Sequence, residues 1–93
     1  MFKFEWDENK NKTNKKKHKI SFEEASSVFY DSDALIITDP DHSEEEERFL
    51  ILGLSNKINI LVVCHCYRNE GIIRLISARR ATKTETKYYD GEI

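Results

Sequence analysis

The chain has 93 residues, 39% of them hydrophobic and 34% charged, with a formal net charge of −2. That length allows one small domain with one core, and the apolar residues are clustered, which excludes a disordered chain. No run approaches the length of a membrane span.

Net charge identifies no partner, because the charge is segregated. Residues 3–19 hold seven lysines, residues 31–47 hold only acidic charges, and the chain is basic again from Arg68. The two basic blocks build a positive surface if they fold together. The start, Met1-Phe2-Lys3-Phe4-Glu5, does not read as a signal peptide. Cys64 and Cys66 are the only cysteines and give no disulfide framework. A cytoplasmic protein with reduced thiols is the expectation.

With one proline and three glycines there is no linker and no repeat, so residues 1–93 read as a single domain. Phe2, Phe4 and Trp6 alternate with charged residues, the period of a strand. Asp7 is a good helix N-cap with Glu8 in the first turn. The segment 7–17 is polar nearly all round, so it is a lightly packed helix or partly a loop. Ser21 starts a second helix with Glu24 at the capping-box position, and Phe22, Ala25, Val28 and Phe29 line one face of it. Strands follow at 34–38, after which Asp39-Pro40-Asp41 turns the chain, then at 48–54 and 58–67. Asn69-Glu70-Gly71 makes a hairpin turn into a strand over 72–78. A last helix runs over 81–89. The order β-α-α-β-β-β-β-α predicts an α+β fold, a mostly antiparallel sheet with helices packed on one face.

Several pieces, in order, carry a resemblance. They are Phe4-Glu5-Trp6-Asp7, then Lys10, Asn14, Lys17-His18, then Phe22-Glu23-Glu24-Ala25 with Phe29. Glu47-Arg48 with Gly53 follows, then Arg74-Leu75-Ile76-Ser77-Ala78-Arg79-Arg80-Ala81, and finally Glu85 with Tyr89. The set resembles the BrnT toxins of bacterial type II toxin–antitoxin systems, which have a RelE-like fold. The resemblance implies an endoribonuclease that inhibits translation and growth. It also implies a cognate ribbon-helix-helix antitoxin, a complex of two toxins with two antitoxins, and binding to operator DNA through the antitoxin. The alternative it leaves is a degenerate toxin, a binding module within that repressor complex. Two departures stand out. Many members have glycine where this chain has Lys19, so a turn needing positive φ is strained here. The acidic total also throws RNA binding onto local positive surface.

RNA cleavage without a metal needs a base for the ribose 2′-hydroxyl, an acid for the leaving 5′-oxygen, and cations for the developing charge. No cofactor is implied. His18, Arg48, Arg79 and Glu24 are the catalytic candidates. An imidazole exchanges protons near neutral pH, and guanidinium grips phosphate bidentately. Lys10, Lys12, Asn14, Lys17, Arg74, Arg80 and Tyr89 are the RNA-binding candidates. Each has a plainer reading. His18 is equally a structural loop histidine, and the lysines are equally a solvated helix face. Glu24 and Glu85 are bases or partners of the arginines. Arg74, among Ile72, Ile73, Leu75 and Ile76, is either paired with Glu24 or Glu85 or aimed at an anion. Arg79, at the polar end of its strand, is the better phosphate ligand. Cys64-His65-Cys66 lacks a second ligand pair, and alternation parts His65 from the thiols, so a core strand is the better reading than a metal site. The run 43–47 reads as a solvated loop or a strand entry.

Overall fold

A computed structural model describes residues 1–41 and 46–93; residues 43–45 of the run 43–47 lie outside them. The chain forms β1 (Lys3–Glu5), α1 (Glu8–His18), α2 (Phe22–Ser27), β2 (Leu35–Thr38), β3 (Phe49–Leu54), β4 (Ile60–Tyr67), β5 (Ile72–Arg80) and α3 (Lys83–Tyr89). Short 3-10 turns at Val28–Tyr30 and Asn69–Gly71 complete it. The five strands make one sheet in the order β1-β5-β4-β3-β2. Only the β1–β5 pair is parallel; the other three pairings are antiparallel. The predicted α+β class and element order are those observed.

The helix starts follow local chemistry. The Asp7 carboxylate accepts from the amides of Asn9 and Lys10, and the Ser21 hydroxyl accepts from Glu24. The second half of the capping box expected at Ser21 does not form, because the Glu24 carboxylate turns away to Ser55 and Asn59. Lys19 ends α1 at φ 62° and ψ 26°, the left-handed cap that glycine adopts without a steric penalty.

Helix α1 contains no apolar residue, so the hydrophobic effect alone does not hold it. Two buried asparagines do. Asn11 Oδ1 accepts from the Phe22 amide at 2.8 Å, and its Nδ2 donates to Glu8 and Glu23. Asn14 Nδ2 donates to the Ala78 and Ile20 carbonyls, both at 2.8 Å, while its Oδ1 accepts from the Ala78 amide at 3.1 Å. Asn14 thus bonds β5 as a neighbouring strand would, beyond the point where β1 stops.

Under α1 and α2 lies the core: Ile20, Phe22, Ala25, Val28 and Phe29 against Ile51, Leu61, Val63, Ile73, Leu75 and Ala78. The β5 members 73, 75 and 78 break alternation. The register slips between Cys64↔Ser77 and His65↔Leu75, leaving Ile76 without a partner on β4. This bulge returns Ala78 to the helix-covered face. Gly53 is fixed by packing: a Cβ there would stand 2.7 Å from Val28 Cγ1. His65 is fully buried between Phe29 and Phe49, with Val63 and Tyr67 as hydrogen-bond partners. Burial holds its pKa below the ordinary histidine value.

Two helices cover one face as expected; α3 lies toward the other. Cross-strand partners share a face, so Leu35, Leu52, Val62 and Arg79 stand in one row, and Ile37, Leu50, Cys64 and Ser77 in the next. Thr84, Glu85 and Tyr88 of α3 border this second face. Helix α3 has no buried residue and is fastened by polar contacts. Glu85 takes a two-pronged hydrogen bond from Arg79, at 2.8 and 2.9 Å, and closes a capping box with Thr82. Tyr89 donates to Asp31 Oδ2 at 2.6 Å, and the same oxygen accepts from the Leu54 amide at 2.8 Å. Burial alone would raise the Asp31 pKa; donation from Tyr89, Leu54 and Asp33 outweighs it, and the net shift is downward. The bond to Asp31 pushes the Tyr89 hydroxyl up to about 12.

Two outcomes follow from these fastenings. Asn14→Ala orphans the Ala78 amide and carbonyl and the Ile20 carbonyl, and is expected to destabilise the fold by about 3 kcal/mol. In thermal unfolding that is a drop in Tm of about 12–24 °C for a domain of this size; a shift under 3 °C, on the order of half a kcal/mol, would show that the clasp contributes little. The hydrogen bond from Arg79 lowers the Glu85 pKa from 4.5 to about 2. The sign is that of a depressed carboxylate: the pair's contribution is complete above pH 4.5 and fades as pH falls toward 2. Glu85→Gln keeps the cap but loses the charge. Its urea midpoint is expected to lie below that of the parent at pH 7 and to meet it near pH 2; a gap that persists there would contradict the assignment.

Candidate nucleic-acid interface

Between α1 and the outer edge of β5 runs an open groove of about 310 Å³. From α1 come Asn9, Lys10, Thr13, Asn14, Lys17 and His18; from β5 come Ile76 and Ser77. Lys10, Thr13 and Lys17 recur at three- and four-residue steps and therefore share one face of the helix. The bulge that leaves Ile76 unpaired on β4 is the stretch of β5 that forms the other wall. Lys10, Lys17 and His18 supply cationic or protonatable groups, and among the described residues no carboxylate lines the groove.

Four predicted site residues therefore meet: Lys10, Asn14, Lys17 and His18. They meet with unequal freedom. Asn14 is 6% exposed and its amide is spent on Ala78 and Ile20. The side chain expected to bind RNA thus holds α1 against β5 beside the groove. Lys12 is exposed but lies off the groove face of α1.

The other candidates are placed apart. Glu24 is 5% exposed and its Oε2 accepts from Ser55 at 2.6 Å and Asn59 at 2.8 Å. Glu24, expected as a catalytic base, does not line the Lys10–His18 groove, and its carboxylate is engaged by Ser55 and Asn59. Arg80 donates to Asn59 Oδ1 at 2.6 Å, next in the same chain of contacts. Arg79 grips Glu85 beneath α3, and Tyr89 is engaged with Asp31. Arg74 is paired, but with Glu5 at 2.8 Å rather than with Glu24 or Glu85. Arg48 lies 3.6 Å from Glu46. Arg68 joins these two pairs, reaching Glu5 and Glu46 at 3.9 and 3.4 Å. Three guanidiniums and two carboxylates thus form one partly exposed chain across the end of the sheet.

Cys64 and Cys66 are buried free thiols, and burial raises both; Cys64 is pushed up to about 11, with the nearby Asp39 carboxylate adding to the effect. Thiols so protonated are poor nucleophiles. Among the described residues no three His, Cys, Asp or Glu side chains gather to hold a metal ion.

Sequence reasoning missed Thr13, Asn9, Ser77 and Ile76 as groove residues. The i, i+3, i+7 spacing of Lys10, Thr13 and Lys17 is the signal for Thr13. Nothing in the sequence marks the β5 side, because the bulge is a tertiary event.

The comparisons with known proteins concern the chain as a whole. The family described as "Ribonuclease toxin, BrnT, of type II toxin-antitoxin system" matches residues 6–85, which include α1, the whole sheet after β1 and the start of α3. Among solved structures, the ribonuclease toxin BrnT of Brucella abortus is similar at a TM-score of 0.67 and 26% identity, covering 89% of this chain and 100% of that one. No curated protein matches. The chain belongs to the BrnT family of ribonuclease toxins of type II toxin–antitoxin systems.

Proposed function

We infer that this chain is a metal-independent endoribonuclease that cleaves RNA and thereby inhibits translation and growth. The observation that carries the reading is the groove in which Lys10, Lys17 and His18 converge, with no carboxylate of the described residues among its walls. Lysines attract a phosphate backbone without regard to sequence. The RNA supplies its own nucleophile: the 2′-hydroxyl attacks the adjacent phosphorus as its proton leaves, and the 5′-oxygen departs on receiving one. His18 is the group in the groove suited to carry such a proton. Lys10 and Lys17 offset charge on the phosphorus oxygens.

In the cell this reading places the protein in the cytoplasm, held inactive by a ribbon-helix-helix antitoxin in a two-toxin, two-antitoxin complex that binds operator DNA through the antitoxin. A second reading has one observation in its favour. Arg48, Arg74, Arg79 and Arg80 each already hold a partner within the chain, so no arginine among the candidates stands open for phosphate. On that reading the protein is a non-catalytic module of the repressor complex.

Expression of the chain alone separates the two: growth arrest with loss of RNA is expected, and normal growth would favour the binding module. With purified protein and an RNA oligonucleotide, cleavage is expected to persist in a chelator and to leave a 2′,3′-cyclic phosphate. A 5′-phosphate end would reject the internal-nucleophile mechanism. His18→Ala is expected to slow cleavage by about 100-fold or more with RNA affinity kept. Lys10→Ala and Lys17→Ala are expected to weaken binding and to lower its salt slope by about 0.7 each.

A further inference from the structure

We propose that the bare edge of β2, with the apolar cleft beside it, is the seat of the cognate antitoxin, which adds a strand to the sheet there. The proposal rests on the toxin–antitoxin reading above and names the surface that reading leaves open.

Strand β2 is the last in the sheet. Among the described residues, its outer row of backbone amides and carbonyls has no neighbouring strand. Its sequence, Leu35-Ile36-Ile37-Thr38, holds no charge and no proline. Proteins ordinarily guard an exposed edge with lysine, proline or a bulge, because an apolar edge invites another strand. Leu35, Ile36 and Ile37 are 38%, 52% and 57% exposed. An edge left so apolar in an otherwise highly charged chain is suited to being covered.

The edge is continuous with a cleft of about 330 Å³ on the face turned toward α3, lined by Leu35, Ile37, Leu50, Leu52, Val62 and Tyr88. Leu35 and Ile37 belong to both. A strand pairing with β2 therefore sends alternate side chains over the cleft. The cleft is needed, since four residues of pairing span only about 13 Å.

Charge selects the occupant. Asp31 and Asp33 precede β2, Asp39 and Asp41 follow it, and no lysine or arginine lies between residues 31 and 47. A second copy of this chain pairing antiparallel through β2 would set Asp31 and Asp33 of one molecule beside Asp39 and Asp41 of the other. The lysines of α1 do not relieve that clash: they lie on the helix-covered side, bordering β5 rather than β2. The surface fits an apolar, extended segment with basic flanks on a different protein. In a toxin of this family the antitoxin is the partner at hand. The seat is also separate from the Lys10–His18 groove, so an antitoxin held here reaches the groove with another part of its chain.

The test uses the full toxin and the antitoxin encoded in the same operon. The double variant Ile36→Lys, Ile37→Lys places charge on exposed positions; binding is expected to weaken at least 100-fold, with Tm and the RNA cleavage of the free toxin unchanged. Asp33→Asn with Asp41→Asn is expected to weaken binding about 5-fold and to flatten its salt dependence. Hydrogen exchange is expected to show the β2 amides protected in the complex. Unchanged affinity of the lysine variant, or protection confined to α1 with β2 still exchanging freely, overturns the seat. Dimers of the toxin alone that the lysine variant abolishes overturn the choice of occupant. Failure of the parent toxin to bind this antitoxin overturns the toxin–antitoxin reading itself, which the loss of binding in a variant alone does not. If the lysine variant unfolds, the exchange pattern of the parent complex decides alone.

Discussion

The contact on which the site depends is the clasp of Asn14 on Ala78. A helix of charged and amide residues has no hydrophobic reason to lie on a sheet. It is held because one amide group satisfies both backbone groups of a buried strand residue at its exposed edge, and because Asn11, one turn earlier, satisfies the first amide of α2. A buried backbone group without a partner is more costly than a hydrogen bond is favourable, so each clasp fixes register as well as contact. With Asn14 pinned, Lys10, Thr13 and Lys17 share its side of the helix, and His18 follows at the end. The cationic wall is thus a consequence of two uncharged residues.

The same economy governs the arginines. Arg74 sits in a strand of isoleucines and leucine, where an unpaired charge is unfavourable, and Glu5 on the parallel neighbour β1 meets it. Arg79 secures α3 through Glu85. Pairs this exposed contribute little stability individually; their role is positional. They join β1 to β5, and α3 to β5. The acidic and basic segments that look segregated along the chain are mixed in space at the sheet end, where Glu46 meets Arg48 and Arg68. The positive character left over is concentrated at α1.

Much of this fold was legible because its signals are local. Asp7 and Ser21 are side-chain caps, Thr82 starts α3, and the apolar runs mark β2 to β5. Helix and strand order then leaves few topologies for a sheet of consecutive strands. Lys19 was identifiable as strained because a turn needing positive φ disfavours lysine, and it ends α1 at φ 62°. What was not legible is tertiary. The bulge at Ile76 breaks the alternation of β5 and decides which of its residues face the helices; no residue type announces it. Glu24 looked like half of a capping box and a candidate base, yet Ser55 and Asn59, more than thirty residues away, claim its carboxylate. Asn14 entered as an RNA-binding candidate through the resemblance; only the structure shows that its amide is engaged within the chain.

The two edges of the sheet complete the contrast. On the other side the edge strand β1 flanks β5 as far as Arg74, and beyond it Asn14 bonds Ala78. At the β2 side the backbone is left open beside three apolar side chains, and the acidic residues stand only at the ends. An edge protected against every strand would carry charges within it. An edge selective for one kind of strand keeps its middle apolar and places like charges where unwanted partners would bring their own. Leu35-Ile36-Ile37 between the aspartates has that second pattern, so its exposure and its specificity arise from the same arrangement of residues.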